Sequence, residues 1–437
     1  MRLTVLGGGG FRVPLVYGAL LRDHGEPRID EVALYDVDRR RLEAITHVLE
    51  QMAKDYPDAP KVTITTGLDE SLEGATFVFS AIRVGGLEGR TRDEHVALDL
   101  GVLGQETTGP GGLAYGWRTV PIAVQVAEAV ARVAPTAWVI NFTNPAGMIT
   151  EAMQSVLGDR VVGICDSPVT LARRACAALD VDPARTFADY VGLNHLGWLR
   201  ALVHDGVDVL PRLLADDRRL GTIEEARLFG PEWVRSLGSL PNEYLYYYYF
   251  NRDAVAAIRV EPATRGDFLL AQQSSFYDAV TVRPYDALSE WRRVRRERDE
   301  TYMAEVRGDE QERDKLDLAG GGYEGVALAF MVAVMRQEVT TMILDVRNGT
   351  TVPGLPPEAV VEVPCLVDGT GARALTAGPA GLDQLGLMQQ VKAVDRLVID
   401  GSLAGDPEAA VRAFALHPLV DSVSVARELV RGYGIGR

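Results

Sequence analysis

Six short apolar runs, separated by amphipathic or alanine-rich stretches, constrain this chain more than any other feature. They are Leu3–Leu6, Val32–Tyr35, Val62–Thr65, Phe77–Ile82, Trp138–Asn141 and Val161–Ile164. Runs so short and so uniformly apolar read as strands buried on both faces, with the stretches between them, such as Val120–Val133, as covering helices. That βαβα rhythm implies an α/β fold with a doubly wound parallel sheet. The rhythm changes after about Asp180. A strand-like run, Tyr190–Leu193, leads into GLNHLGWLRALV, and helical stretches dominate from Ile223 to Arg336. Strand-like segments return at Val339–Val346 and 360–367, and the tail looks helical. We divide the chain into a nucleotide-binding half, residues 1–190, and a substrate-binding half, residues 191–437, with no flexible linker between them.

Composition narrows the function. The 437 residues can build a core that needs no disulfides. A net charge of −16 disfavours a nucleic-acid partner, and an anionic ligand would need a local basic pocket. Three scattered cysteines, Cys165, Cys176 and Cys365, suit reduced thiols in a cytoplasm. The N-terminal apolar run stops at Leu6, too early for a signal peptide, and nothing approaches the ~18 apolar residues of a membrane span. The run Arg292–Asp299 (RRVRRERD) reads as a solvated helix face.

Gly7, Gly8, Gly9 and Gly10 follow the first strand directly. Glycines there let the backbone turn sharply against a pyrophosphate, while the next helix presents its N–H groups and positive dipole end. Arg12 stands where the third glycine of GxGxxG would be, so the match is partial. Asp36 ends the second strand, where a carboxylate accepts from both ribose hydroxyls and repels a 2′-phosphate. Strand, glycines, helix and acid in this order point to a Rossmann-type site that prefers NAD to NADP. A glycine turn beside an aspartate helix cap is the plainer alternative.

Further polar stretches fall where strands of the first half end, which in a doubly wound sheet is the binding crevice. SAIRVGGLEGRTRDEH (80–95), GQETTGPGG (104–112), NFTNPAG (141–147), GICDSP (163–168) and, soon after, GLNHLGW (192–198) carry Arg83, Arg90, Glu106, Asn144, Cys165, Asp166 and His195. A thiolate and an imidazole can hold a divalent ion, but the spacing of Cys165 and His195 is no metal motif, and on pattern alone both are ordinary core residues. His195 could equally be a base paired with a carboxylate. The arginines could fork onto an anion or pair with surface acids. Asn144 could cap the helix after Pro145, Glu106 could cap a loop, and Tyr244–Tyr249 reads first as aromatic packing. Pattern alone reaches an NAD-binding enzyme with a polar crevice and stops short of the reaction.

Taken in order, GGGGFRVP, IRVGGLEGRTRDE, GQETTGPGG, NFTNPAGMITEA, GICDSP, GLNHLGW, PNEYLYYY, GGYEGVAL and VVEVPCLVDGTG resemble the family 4 glycoside hydrolases, most closely the 6-phospho-β-glucosidases. The resemblance covers most of the chain. It implies a lactate/malate-dehydrogenase-like C-terminal α+β domain joined to the Rossmann half, and NAD and usually Mn²⁺ as cofactors. The implied route oxidises C3 of the sugar, removes the C2 proton, expels the aglycone, adds water and reduces C3 again. The two-carboxylate chemistry of most glycosidases does not apply to this family. Cys165 and His195 match the metal ligands, and Tyr244 matches the C2 base of β-acting members. Glu106 matches a position that tunes that tyrosine, and Asp166 one that can protonate the leaving group. Arg90, Asn144 and Arg265 match substrate contacts, while Phe11, Arg12, Arg83 and Asn141 join the glycines and Asp36 around the cofactor. A homodimer or homotetramer is implied. Three departures stand out. LAGGGY puts Ala319 where many phospho-glucosidases have Arg, GDFLLAQQ after Arg265 lacks the usual acidic pattern, and Asp166 is commoner in α-acting relatives. The rival readings are a 2-hydroxy-acid dehydrogenase, which the lack of a GEHGD-like segment disfavours, and a family 4 enzyme for an α- or non-phosphorylated glycoside.

Overall fold

A computed structural model describes residues 1–301, 322–375 and 378–436. The first six strands are β1 (Arg2–Leu6), β2 (Glu31–Tyr35), β3 (Lys61–Thr65), β4 (Phe77–Ser80), β5 (Trp138–Asn141) and β6 (Val161–Gly163). They pair in parallel in the order β3-β2-β1-β4-β5-β6. The expected doubly wound sheet is therefore present, and its order reverses between β1 and β4, where such sheets bind ligands. Leu3, Leu34, Phe77, Ile140 and Val162 are at most 1 % exposed, as strands covered on both faces require. Each such side chain contributes roughly 1.5–3 kcal/mol of burial.

Helices α1 (Val13–Leu21), α2 (Arg39–Ala53), α3 (Leu68–Leu72), α4 (Gly86–Asp99), α5 (Pro110–Val133), α6 (Ala146–Leu157) and α7 (Ser167–Leu179) connect and cover these strands. Helix α5 starts ten residues before the apolar stretch at Val120 and runs through Pro121. Asp38 caps α2 by accepting from the backbone of Arg40 and Arg41, which leaves Asp36 for the crevice.

The sheet does not end with the nucleotide-binding half. Strand β7 (Thr186–Leu193) forms a hairpin with β8 (Leu196–His204), and β11 (Thr340–Arg347) and β12 (Val360–Asp368) insert antiparallel between β6 and β7. Short strands β9 (Val207–Asp208), β10 (Leu240–Pro241) and β13 (Gly371–Ala374) complete a 13-stranded sheet among the described residues. The division expected at 190/191 falls inside β7. No sequence signal marks the β7–β8 hairpin, because its two-residue turn, Asn194–His195, lacks the glycine that usually does; His195 itself takes the left-handed conformation at φ 62°. Among the described residues, no helix is long and apolar enough to cross a membrane.

Candidate active site

The C-terminal ends of β1, β2, β4, β5, β6 and the β7–β8 turn open into one cavity of about 1160 Å³. That exceeds the usual ~300–1,000 Å³ of a small-ligand pocket and leaves room for two ligands side by side. Gly7, Gly10, Phe11, Arg12, Asp36, Arg83, Arg90, Glu106, Asn144, Cys165, Asp166, His195 and Tyr244 all line it. The chain thus brings thirteen of its seventeen expected site residues to one place.

At the β1 end, Gly7 has φ +83°, and a Cβ on Gly8 would lie 2.6 Å from that of Leu34, so both positions demand glycine. Gly8 and Gly9 thus shape the loop from behind without lining the cavity. The Asp36 carboxylate accepts from the backbone N–H of Gly9 at 3.0 Å and of Asp38 at 3.1 Å, which ties the acid to the glycine loop. Three aromatic residues of the second half pin the same loop; only Tyr323 lies in a stretch that the sequence singles out, GGYEGVAL. Tyr277 donates to the Gly9 carbonyl at 2.6 Å, Trp291 to that of Phe11 at 2.8 Å and Tyr323 to that of Arg12 at 3.0 Å. The Arg12 guanidinium lies 5.3 Å from the Tyr323 ring centre and 5.6 Å from that of Phe142.

Besides Gly8 and Gly9, two expected residues lie outside the cavity wall. Asn141 is fully buried, and its amide donates to Thr143, Ala146 and Thr150, so it braces the turn into α6 instead of facing a ligand. Arg265 begins the helix Arg265–Val282 and donates to the carbonyls of Thr301 and Arg298, which holds the end of the helix Ala287–Glu300. The charged run on that second helix is not wholly a solvated face. Arg292, Arg293 and Arg296 are exposed, but Arg295 and Arg298 line the cavity, on the same helical stripe as buried Trp291 and Val294. Ala319 lies outside the described residues.

Glu106 sits between two arginines, 2.7 Å from Arg83 and 2.8 Å from Arg90, and Arg90 also holds Glu94 at 2.7 Å. Burial alone would push its carboxyl up, but Arg90 and Arg83 hold it well below the usual range. Glu106 is therefore an ionised charge in the wall rather than a loop cap. His195 is 8 % exposed, and burial lowers its pKa to about 4 against the opposing charge of Glu106, so the ring is neutral near pH 7. Its Nδ1 lies 3.0 Å from the Thr107 hydroxyl, which leaves Nε2 for another partner. The Tyr244 ring stacks on it face to face, 3.7 Å between centres and 9° between planes. Tyr244 is positioned locally by Asn242, whose side chain accepts from the Tyr244 backbone N–H at 3.0 Å. The following tyrosines do pack, as expected: Tyr247 is 2 % exposed and Tyr249 accepts from the Trp198 indole.

Cys165 is buried, and burial, Glu362 and Asp166 push its thiol well up, so a thiolate there requires a cation beside it. Among the described residues no three His, Cys, Asp or Glu side chains form a preassembled metal cage. The donor set at Cys165 and His195 fits a two-ligand site with positions left for water and substrate oxygens. The Asn144 side-chain oxygen is buried without a hydrogen-bond partner in the cavity wall, the mark of a group awaiting a ligand. Next to Asp166, the Ser167 hydroxyl donates to Glu243 at 2.6 Å, and burial with the charge of Glu225 pushes Glu243 up to about 7.

A doubly wound sheet extended by an antiparallel half, with one polar crevice across its strand ends, defines a Rossmann-type α/β enzyme. Comparison gives the family. The model of family 4 glycosyl hydrolases matches residues 2–181, and that of the family's C-terminal domain matches 190–420. The chain belongs to this family of glycoside hydrolases. It is 27% identical to a probable 6-phospho-beta-glucosidase of Bacillus subtilis (strain 168), over 98% of this chain and 95% of that one. The structure of the Thermotoga maritima 6-phospho-beta glucosidase with manganese, NAD+ and glucose-6-phosphate matches with a TM-score of 0.83 and 25% identity, over 99% and 97% of the two chains. A 6-phospho-alpha-glucosidase from gut microorganisms, in complex with NAD and glucose-6-phosphate, matches with a TM-score of 0.82 and 25% identity, over 99% and 96%. Malate dehydrogenase from Plasmodium falciparum, at 13% identity and a TM-score of 0.52, shares the fold alone.

Proposed function

We propose that this glycoside hydrolase cleaves 6-phospho-β-glucosides with NAD and a divalent cation, Mn²⁺ in the first instance. The observation that carries the reading is the stacking of Tyr244 on His195 at 3.7 Å, in the cavity that Cys165 and Asp166 share. A phenol beside the ring assigned to the cation supports the assignment of Tyr244 as the base that takes the C2 proton. Bound NAD supplies a reversible hydride acceptor, and the cation supplies a Lewis acid for the C2 and C3 oxygens.

The chain's residues do the rest. In the nucleotide-binding half, Gly7–Gly10, Phe11, Arg12 and Arg83 bind the dinucleotide, Asn141 braces that site from beneath, and Asp36 accepts from the adenosine ribose. Once C3 is oxidised, the C2–H is acidic, and Tyr244 removes it. A tyrosine starts near pKa ~10, so the cation and the arginines of the wall must hold its phenolate. Asp166 protonates the departing aglycone oxygen, and Asn144 orients the sugar through its unpartnered oxygen. Glu106 acts through charge on His195 and Tyr244 without taking the proton.

The 6-phosphate rests on the basic wall. The Arg298 guanidinium has no hydrogen bond or ion pair among the described residues, and burial together with Arg12, Arg265 and Arg90 pushes its pKa well down. A guanidinium left uncompensated in the cavity wall of a chain of net charge −16 calls for an anion. Release of nitrophenol from p-nitrophenyl β-glucoside, its α-anomer and their 6-phosphates, each with NAD and Mn²⁺, tests the reading. Turnover of the phosphorylated β-anomer alone is expected. Preference for an α-anomer or an unphosphorylated sugar would overturn it. NADH accumulating in step with substrate loss would return the reading to a dehydrogenase.

A further inference from the structure

A row of residues crosses the sheet just beneath the cavity: Gly163 of β6, Asp345 of β11, Glu362 of β12 and Gly192 of β7 are neighbours in register. Directly opposed residues of antiparallel strands point to the same face, so the two carboxyl groups lie side by side. Asp345 is 0 % and Glu362 1 % exposed. The flanking glycines make the space: a Cβ on Gly163 would fall 2.9 Å from an Asp345 carboxylate oxygen. Neither oxygen of Asp345 has a hydrogen-bond partner, and neither does Oε2 of Glu362. Two buried carboxyls at one spot cannot both ionise, so the pair keeps at least one proton: burial pushes both up, Asp345 to about 7 even with Lys392 pulling it down, and the Asp345 charge pushes Glu362 further.

Two residues past Gly192, in the turn that follows β7, stands Asn194; two past Gly163, just beyond the end of β6, stands Cys165. The Asn194 amide donates to Glu362 Oε1 at 3.3 Å. Asn194 is the first residue of the two-residue turn whose second, His195, holds φ 62°.

We propose that Asp345 and Glu362 form an anionic plate behind the metal site, with Glu362 the positioning residue that tethers the Asn194–His195 turn and the pair's charge favouring a divalent cation at Cys165 and His195. This rests on the metal reading above. Partners of this kind behind the ligands commonly change metal affinity ~10–100-fold.

The test is Mn²⁺ titration of the NAD-bound protein by calorimetry, with thermal unfolding as the second readout. The double variant Asp345→Asn/Glu362→Gln removes the charge with no change of shape. Asn194→Ala removes the tether at a half-buried turn that tolerates truncation. Both are expected to weaken Mn²⁺ binding at least ~10-fold. The neutral double variant should unfold no earlier than the wild type, since replacing a buried charge removes a desolvation cost. A purely structural role predicts the reverse, earlier unfolding with unchanged Mn²⁺ affinity, and that result overturns the proposal. Cys165→Ser separates the two levels: if it too leaves Mn²⁺ binding intact, the metal site itself is wrong and this inference falls with it.

Discussion

Replacing Glu106 by Gln isolates the acid held between Arg83 and Arg90. The amide keeps the shape and removes the charge shared by Arg83 at 2.7 Å and Arg90 at 2.8 Å. Breaking a buried pair from one side typically costs ~3–5 kcal/mol, because the partner charge stays buried. Arg90 retains Glu94 at 2.7 Å and Arg83 lies 5.0 Å from the Tyr115 ring centre, so the lower end, about 3 kcal/mol, is the expected loss near pH 7. The pH dependence has a definite sign. The folded-state pKa of Glu106 lies below its unfolded value of ~4.3, so the ionised acid stabilises the fold fully above that value. Its contribution fades as pH falls through the folded-state pKa. Urea unfolding midpoints of wild type and Glu106→Gln, at constant m-value, should therefore differ by a fixed amount above about pH 5.5 and converge in more acidic buffer. A difference under about 1 kcal/mol at neutral pH, small for a broken buried pair, or a gap that does not narrow in acid, would refute the reasoning.

Three further outcomes follow from the site. Asp36→Ala should weaken NAD binding and leave NADP binding unchanged or improved, by fluorescence titration; unaltered NAD affinity would remove Asp36 from the ribose. Chelator should abolish activity and Mn²⁺ restore it, while Cys165→Ser should lose Mn²⁺ affinity yet keep its circular dichroism spectrum; full activity in chelator would contradict the ligand assignment. Tyr277→Phe deletes the bond to the Gly9 carbonyl at 2.6 Å, so it should lower stability by about 1 kcal/mol and weaken NAD binding; a silent variant would mean the glycine loop holds its shape unaided.

Strands with both faces covered were legible because they need unbroken apolar residues, and Trp138–Asn141 begins and ends as the sequence suggests. Gly7–Gly10 and Asp36 were legible because the chemistry of a tight turn and of a strand-end acid restricts residue type. The antiparallel extension was not. Strands β11 and β12 enter the sheet beside β6 and β7 from more than 140 residues away in sequence, and no local pattern encodes that pairing. Cys165 and His195 look like core residues in sequence, and only the fold brings them to one wall. Arg298 was hidden in a run of charges, although Trp291, Val294, Arg295 and Arg298 fall at the i, i+3, i+4, i+7 spacing that marks an inward stripe. For Asn141 and Arg265 the motif position suggested ligand contact, and in the structure local hydrogen bonds hold both side chains.

The central claim is that Tyr244 removes the C2 proton of a sugar oxidised at C3. Turnover of the 6-phospho-β-glucoside in D₂O, read by NMR of the product, tests it most directly. The account predicts deuterium at C2 of the released sugar phosphate, and a Tyr244→Phe variant that keeps NAD and Mn²⁺ binding while losing roughly 10²–10⁴-fold in rate. A product with hydrogen retained at C2, formed at an undiminished rate by Tyr244→Phe, would contradict it.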